Sequence, residues 1–440
     1  MRSRWASPSA HILGVVALVA LAAQPAASQD DETGLRDQLA HDLFTFGACG
    51  EPLCLDLPVG NVHGSHFIPA LAEGNDAVIA FLTDAIGDAT ASVPLSATSS
   101  GATFTVVGGV PVRTSISAGP IFGERTQTLG RGRIFIGASV TGMEFTSLNG
   151  VPLRDLALNF KHEDRLSPDS LGAPEFENDY MALDLAVSLN ILVATVAMTA
   201  GLTDFIDVGV ALPLVRTQVS GRSEAQILPF GSTAIHRFGG DATDPVLRAT
   251  ASTEGSATGI GDIAARVKFN LGQSPRMGTA LLAEIRLPTG DEDDLLGSGA
   301  TQFRALGLYS AQFGTFSPHV NLGYVARGDS RTQNDAVLLG ITVDNLLSDW
   351  ATLAAGFESE LQVGDNKFVL PSDIEFTEPF ARTIRATNVP NKSGDLLRAS
   401  LGAKFTVRGG TVLVVNALLP LRDVGLQPDF IWTVGLDFPF

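Results

Sequence analysis

The stretch that decides the fold is "DIAARVKFNL", residues 262–271, followed after a short link by "MGTALLAEIRL", residues 277–287. In the first, Ile263, Ala265, Val267, Phe269 and Leu271 share one parity, while Asp262, Ala264, Arg266, Lys268 and Asn270 share the other. In the second, Thr279, Leu281, Ala283, Ile285 and Leu287 oppose Ala280, Leu282, Glu284 and Arg286. A period of two gives a strand with one apolar and one polar face. The turn around Ser274 and Pro275 joins the two runs into a hairpin.

The same alternation recurs in "TQFRALGLYSAQF" (301–313), "SPHVNLGYVAR" (317–327), "WATLAAGFESELQV" (350–363) and "LGAKFTVR" (401–408). Repeated strands of about ten residues with this dyad are the pattern of a transmembrane β-barrel, in which short turns on one side alternate with longer loops on the other. Short links are expected near 146–150, 200–204, 272–276, 313–315, 347–349 and 409–410; longer ones near 164–180, 220–257, 290–299, 329–334, 365–394 and 422–429. They delimit thirteen strands between Arg133 and Phe440. Both ends on one side require an even count, and "ATFTVVGGVPVRTSISAG" (102–119) supplies the fourteenth, although Pro111 is a poor strand residue. The expected fold is all-β: a transmembrane antiparallel β-barrel of about fourteen strands, with twelve or sixteen as the alternatives.

Two other classes compete. Alternation alone also fits a soluble all-β protein with one wet face per sheet. The uncharged run "LAVSLNILVATVAMTAGL" (185–202) is long enough for a membrane helix, but it also reads as one long strand turning at Gly201 into "FIDVGVALPLV". The ordered link lengths, the absence of domain breaks and both chain ends favour the barrel. At the start, Arg2 and Arg4 precede the apolar run "ILGVVALVALAA" and the small residues "QPAAS", which reads as a signal peptide cut after Ser28. At the end, "DFIWTVGLDFPF" (429–440) alternates into a terminal Phe440. It reads as a closing strand with Phe438 and Phe440 as an aromatic assembly signal.

Removing residues 1–28 takes away two arginines and no acids, so the formal charge of −18 becomes −20 and nucleic acid is excluded as a partner. The only cysteines, Cys49 and Cys54 in "CGEPLC", are expected to form a disulfide after export, and no structural metal site is expected there. Residues 29–100 differ from the rest: "ALAEGNDAVIAFLTDAIGDA" (70–89) has helical spacing, with Ile79, Leu82 and Ile86 on one face. The expected organisation is a signal peptide (1–28), a helical or irregular plug or cap with the disulfide (29–100), and the barrel (101–440).

Residues on the polar parity face the lumen in such a barrel. The candidates are Arg266, Lys268, Glu284, Arg286, Arg304, Arg327, Glu358, Glu360, Lys404 and Arg408. Mixed signs fit an electrostatic filter, or ion pairs between neighbouring strands that fill the interior, the favoured reading. The acidic loop "GDEDDL" (290–295) is either a solvated loop or a divalent-cation site against lipid phosphates. Catalysis has little support: His162, His236 and His319 show no identifiable nucleophile spacing, and "HGSH" (63–66) offers two imidazoles without further ligands. No cofactor and no enzymatic activity are expected.

Five stretches, "CGEPLCLD", "SAGPIFGERTQTLGRGRIFIGAS", "GIGDIAARVKFNL", "LLAEIRLPTGDEDDLLGSGATQF" and "VGLDFPF", resemble the outer-membrane transporters grouped with meta-pathway phenol-degradation proteins. These look like distant relatives of the long-chain fatty-acid channel, whose N-terminal plug is similar in placement to residues 29–100. The resemblance implies a Gram-negative outer-membrane channel for passive uptake of small hydrophobic or aromatic molecules. Its implied partners are outer-membrane lipid, the assembly machinery and a small apolar solute. The alternative of a different class is a structural or surface-interaction barrel whose long loops at 220–257 and 365–394 bind a partner.

Overall fold

The computed structural model describes residues 34–439 except 48–49, 56–66, 70–71, 73, 92–103, 108–109, 114–122, 163–177, 232–235, 242, 275, 329, 331–332, 393 and 408–410. The "HGSH" stretch, Cys49, Arg408, Phe440 and the expected signal peptide lie outside the described residues.

Twelve strands close into an antiparallel ring. They are β1 (Ile134–Leu148), β2 (Tyr180–Gly201), β3 (Ile206–Leu228), β4 (Ala264–Gln273), β5 (Met277–Arg286), β6 (Gln302–Ala311), β7 (Phe316–Arg327), β8 (Ala336–Ser348), β9 (Ala351–Gln362), β10 (Leu396–Thr406), β11 (Val412–Pro420) and β12 (Leu426–Pro439). Each pairs with its neighbour in sequence, and β12 closes on β1 with Leu436 opposite Ala138 and Thr433 opposite Thr141. At that seam the Thr141 and Thr433 hydroxyls hydrogen-bond inside at 2.9 Å, while the Trp432 ring lies over Gly142, where a Cβ would collide with it. Closure pairs every ring strand on both sides, which a sheet in lipid requires; the edges that remain, Leu156–Lys161 and Arg248–Ile260, lie along the outer parts of β2 and β3.

The expected class therefore holds, with the strand count at the lower alternative. Two segments account for the difference from fourteen. Residues 104–107 and 110–113 form a separate two-stranded hairpin, not a ring strand. Asn149 and Gly150 make the expected tight turn, both with positive φ, but the returning chain pairs with β1 only through Val151 and Pro152. Proline has no N–H to continue the ladder. The chain re-forms as Leu156–Lys161 against the far end of β2, so this short link sits at the long-loop rim rather than with the other short turns.

Strands β2 and β3 run far beyond the others, in register from Tyr180 with Leu228 to Gly201 with Asp207. The uncharged run long enough for a membrane helix is the body of β2; no described helix is long and apolar enough to cross. The expected loop 220–257 is largely sheet, because Arg248–Ile260 pairs with the outer half of β3, Arg248 opposite Gln226 and Ile260 opposite Leu214. Its sequence, "RATASTEGSATGI", lacks apolar alternation. An extension beyond the bilayer has no lipid face to cover, and threonine and serine are content in a strand with water on one side.

Outward-facing Leu281, Ile285, Phe303, Leu322, Ile341, Phe357, Leu401, Val415 and Val434 are exposed around the ring. Aromatic residues gather toward its rims, with Phe205, Phe313, Phe316 and Trp350 at the short turns, Trp350 stacked on Phe405 at 6.0 Å. A soluble monomer does not expose a continuous apolar band of this kind; an apolar band between aromatic girdles is what lipid selects.

The N-terminal segment packs against the inner wall. Helix α1 (Leu35–Asp42) and helix α2 (Asn75–Ala91) contribute Leu35, Leu39, Val78, Ile79, Phe81, Leu82, Ala85 and Ile86 to one apolar core. The wall contributes inward residues of β1, β2, β3, β11 and β12, among them Met143, Leu185, Leu189, Val193, Val219, Leu418 and Ile431. The expected α2 face is the buried one, whereas α1, only two turns long, has no periodicity strong enough to read. Gly221 on β3 lets Leu43, the C-cap of α1, approach, since a Cβ there would lie 2.7 Å from Leu43 Cδ1. The "GDEDDL" loop caps α1: Arg36 N–H donates to the Asp293 carbonyl at 2.8 Å, and Leu35 N–H to the Asp294 carboxylate at 3.4 Å. Acidic groups suit the positive end of a helix. Arg36 in turn bridges to Asp84 of α2 at 2.7 Å.

Candidate functional site

Between α2 and β1 the chain passes through the lumen as an extended strap, residues 123–132, before it enters β1 at the short-turn rim. Polar residues from four strands hold it. Asn321 on β7 donates its Nδ2 to the Glu124 carbonyl at 2.9 Å and accepts the Glu124 N–H on Oδ1 at 2.8 Å, as a strand would. The Glu124 carboxylate receives Arg266 Nη1 at 3.1 Å and Lys268 Nζ at 2.7 Å from β4. Lys268 also donates to the Arg125 carbonyl at 3.2 Å, and Asn270 Nδ2 to the Thr126 carbonyl at 2.9 Å. Thr126 N–H donates to Ser310 Oγ on β6 at 3.1 Å, and Leu129 N–H to the Asp207 carboxylate on β3 at 2.9 Å. Because backbone donors and acceptors inside a barrel cannot stay unpaired, these lumen residues make the strap a fitted part of the interior.

Ser310 continues inward through the wall. Its hydroxyl lies 2.8 Å from His319 Nδ1, and His319 Nε2 lies 2.6 Å from Asp344 Oδ1, on three successive strands. The three residues follow the serine, histidine, aspartate order of a hydrolytic triad but through the opposite ring nitrogens, and the spacing did not reveal them. Here the serine is buried and its oxygen accepts the strap N–H. One set of protons satisfies every contact: Ser310 O–H to Nδ1, Nε2–H to the carboxylate, and the serine lone pair to Thr126. The arrangement is a latch for the strap. A second buried relay lies in the long-loop region, with His236 Nδ1 2.7 Å from Asp179 Oδ2 and the His162 and His236 Nε2 atoms 2.9 Å apart. The Phe67 ring packs edge-on against both imidazoles, tying the N-terminal segment to these loops.

The lumen-facing candidates fall into a belt of alternating sign. Arg266 stands opposite Glu284 in register, and Glu284 opposite Arg304, whose Nη1 lies 3.6 Å from Glu284 Oε1. Arg286 projects two residues beyond Glu284 on the same parity. Arg327 Nη2 lies 2.5 Å from Glu360 Oε2, and Arg398 Nη1 3.8 Å from Glu360 Oε1. Glu358 is the register partner of Arg398. Lys404 is buried on β10 within electrostatic reach of Asp437 and Asp344. Glu124 and Asp437 are the partners that sequence reasoning missed. Cys54 is disulfide-bonded, and Phe438 is a buried residue of β12.

Where this belt meets the plug there is a cavity of about 80 Å³. Met143, Phe145, Leu426, Ile431, Phe368 and Ala85 of α2 supply its apolar lining; Arg327, Glu360, Arg398, Gln362, Lys392 and Asn149 supply its polar lining. The expected loop 365–394 is not free: Phe368 stacks near Phe81 of α2 at 5.3 Å, and residues 385–388 hydrogen-bond to Leu156–Lys161. It covers the plug.

Residues 182–367 match the family model described as "Putative MetA-pathway of phenol degradation". The matched span runs from β2 to just beyond β9 and leaves out the strap and Arg398. A search of curated proteins returns no match. Among solved structures, the chain is similar to the COG4313 outer membrane channel from Pseudomonas putida F1, at 12% identity and TM-score 0.43 over 72% of this chain and 98% of that one. It is also similar to a Pseudomonas aeruginosa FadL homologue, at 12% identity and TM-score 0.30 over 70% and 88%. A third is the translocator domain of the autotransporter NalP from Neisseria meningitidis, at 12% identity and TM-score 0.32 over 71% and 89%. Likeness at these scores says nothing of cargo.

Proposed function

We propose that this protein is an outer-membrane channel for passive uptake of small hydrophobic or aromatic molecules, closed at rest by its own N-terminal segment. The observation that carries this reading is the strap. A closed ring with an apolar outer band holds, across its lumen, a segment fastened by hydrogen bonds and two ion pairs to residues of the barrel wall. A barrel that only displays loops has no need of a removable interior. The fastenings are polar and therefore exchangeable for water, whereas the apolar core above them is not. The strap is thus the part that moves when solute passes, and the cavity between plug and belt is the first compartment on the long-loop side. The family-model match supports the same reading.

In this account residues 1–28 direct export, residues 29–100 form the plug, and residues 101–440 supply strap and barrel. Phe438 and Phe440 are read by the assembly machinery as the closing strand is delivered to the membrane. Purified protein in liposomes is expected to admit phenol and toluene faster than protein-free vesicles, measured as entry into vesicles loaded with a trapping enzyme. A graded panel of solutes that all enter at the protein-free rate would remove the channel reading.

A further inference from the structure

The cavity brings two buried arginines beside a single lining carboxylate. Arg327 and Arg398 are both buried, and both line it. Arg327 uses Nη2 on Glu360 and Nη1 on the Asn334 carbonyl at 2.7 Å; Arg398 reaches Glu360 only at 3.8 Å. The Nε of each is enclosed without a hydrogen-bond partner among the described residues. Glu360 is the carboxylate that lines the cavity beside the two guanidinium groups, while Glu358, opposite Arg398 in register, acts on Arg398 electrostatically from outside the lining. Lys392, whose Nζ donates to the Asp423 carbonyl at 3.0 Å, adds a third cation. The chain as a whole carries a formal charge of −18, so this local excess of positive charge runs against the background. The enclosed Nε atoms border no open space, so the donors offered to a ligand are the guanidinium Nη atoms, whose fork geometry suits a carboxylate.

We infer that the cavity is a binding site for a small organic monoanion, an apolar body bearing one carboxylate. The carboxylate oxygens accept from Arg398 and Arg327, and the apolar body lies against Met143, Phe145 and Ile431 of the apolar lining. The inference rests on the channel reading and narrows it, because it places an acid-selective station at the long-loop entrance to a path that neutral molecules also use. Glu360 competes with the ligand for the same donors and sets its affinity low enough for release.

The test is calorimetric titration of the full chain in detergent at neutral pH with benzoate and with benzamide, which has the same shape and no charge. Benzoate is expected to bind about tenfold more tightly than benzamide, the usual advantage of a charge-assisted pair. Arg398→Met is expected to abolish that preference and leave benzamide binding in place. Glu360→Gln, which keeps both arginines and frees their donors, is expected to strengthen benzoate binding, so an effect of opposite sign guards against simple misfolding. Equal affinity for the two compounds, or a preference unmoved by both substitutions, would overturn the inference. Toluene entry into liposomes separates the two readings. Entry without a benzoate preference defeats the site alone, whereas a benzoate preference without entry defeats the channel and leaves the site standing.

Discussion

In planar bilayers, Glu124→Ala is expected to raise the open fraction of the channel by roughly 100-fold. The carboxylate of Glu124 pairs with both Arg266 and Lys268 inside the lumen, at 3.1 Å and 2.7 Å. Removing one side of a buried pair typically costs about 3–5 kcal/mol, because the remaining charges stay buried and uncompensated. That cost falls on the closed state alone, since in the open state the strap has left and water solvates both cations. About 3 kcal/mol at roughly 1.4 kcal/mol per decade gives the stated shift. Asn321→Ala, which removes a neutral reciprocal pair, is expected to act in the same direction by a smaller factor. Unchanged conductance for Glu124→Ala in correctly assembled protein would mean that the strap does not control the path.

Leu39→Asp is expected to release α1 from the wall. Leu39 is 1% exposed and belongs to the apolar core that the helix shares with the inner wall. A carboxylate placed there has no partner, and burying it costs several kcal/mol. An eight-residue helix otherwise held by a loop cap, a salt bridge and the Thr253 hydroxyl on the Asp42 carboxylate at 2.9 Å cannot absorb that. Limited proteolysis should then cut within residues 34–55, while the barrel keeps the heat-modifiable gel mobility of a folded outer-membrane protein. Protection equal to wild type would show that something other than the apolar core docks the helix.

The ring was legible in the sequence because lipid outside and polar groups inside impose opposite demands on successive residues. In Met277–Arg286 nearly every position declares its side. Where the outer face meets water, as in Arg248–Ile260, that demand disappears, and the extension read as a loop. Pro152 explains the overcount: the turn at Asn149 and Gly150 was real, but its second strand could not continue. The strap left no local signature at all. Its residues follow neither period, and its partners are distant in sequence, Lys268 lying 144 positions from Glu124. The Ser310, His319 and Asp344 relay was closer to reach. The short turn at 312–315 sets Ser310 directly opposite His319, so hairpin register, rather than motif spacing, was the available signal. The charged belt was visible as residue types, but its pairing depends on register across seven strands.

The central claim is that solute passes only when the strap moves. A Cβ at Gly278 on β5 would lie 3.3 Å from the Thr126 Cβ of the strap, near the separation of disulfide-linked residues. The double variant Thr126→Cys, Gly278→Cys can therefore staple the strap to the wall. The decisive measurement is toluene entry into liposomes bearing this variant, oxidised and then reduced, with wild type given the same reductant as a control for the native disulfide. The account predicts entry at the protein-free rate when oxidised and at the wild-type rate when reduced. Entry at the wild-type rate with the staple closed would contradict it and place the solute path elsewhere in the barrel.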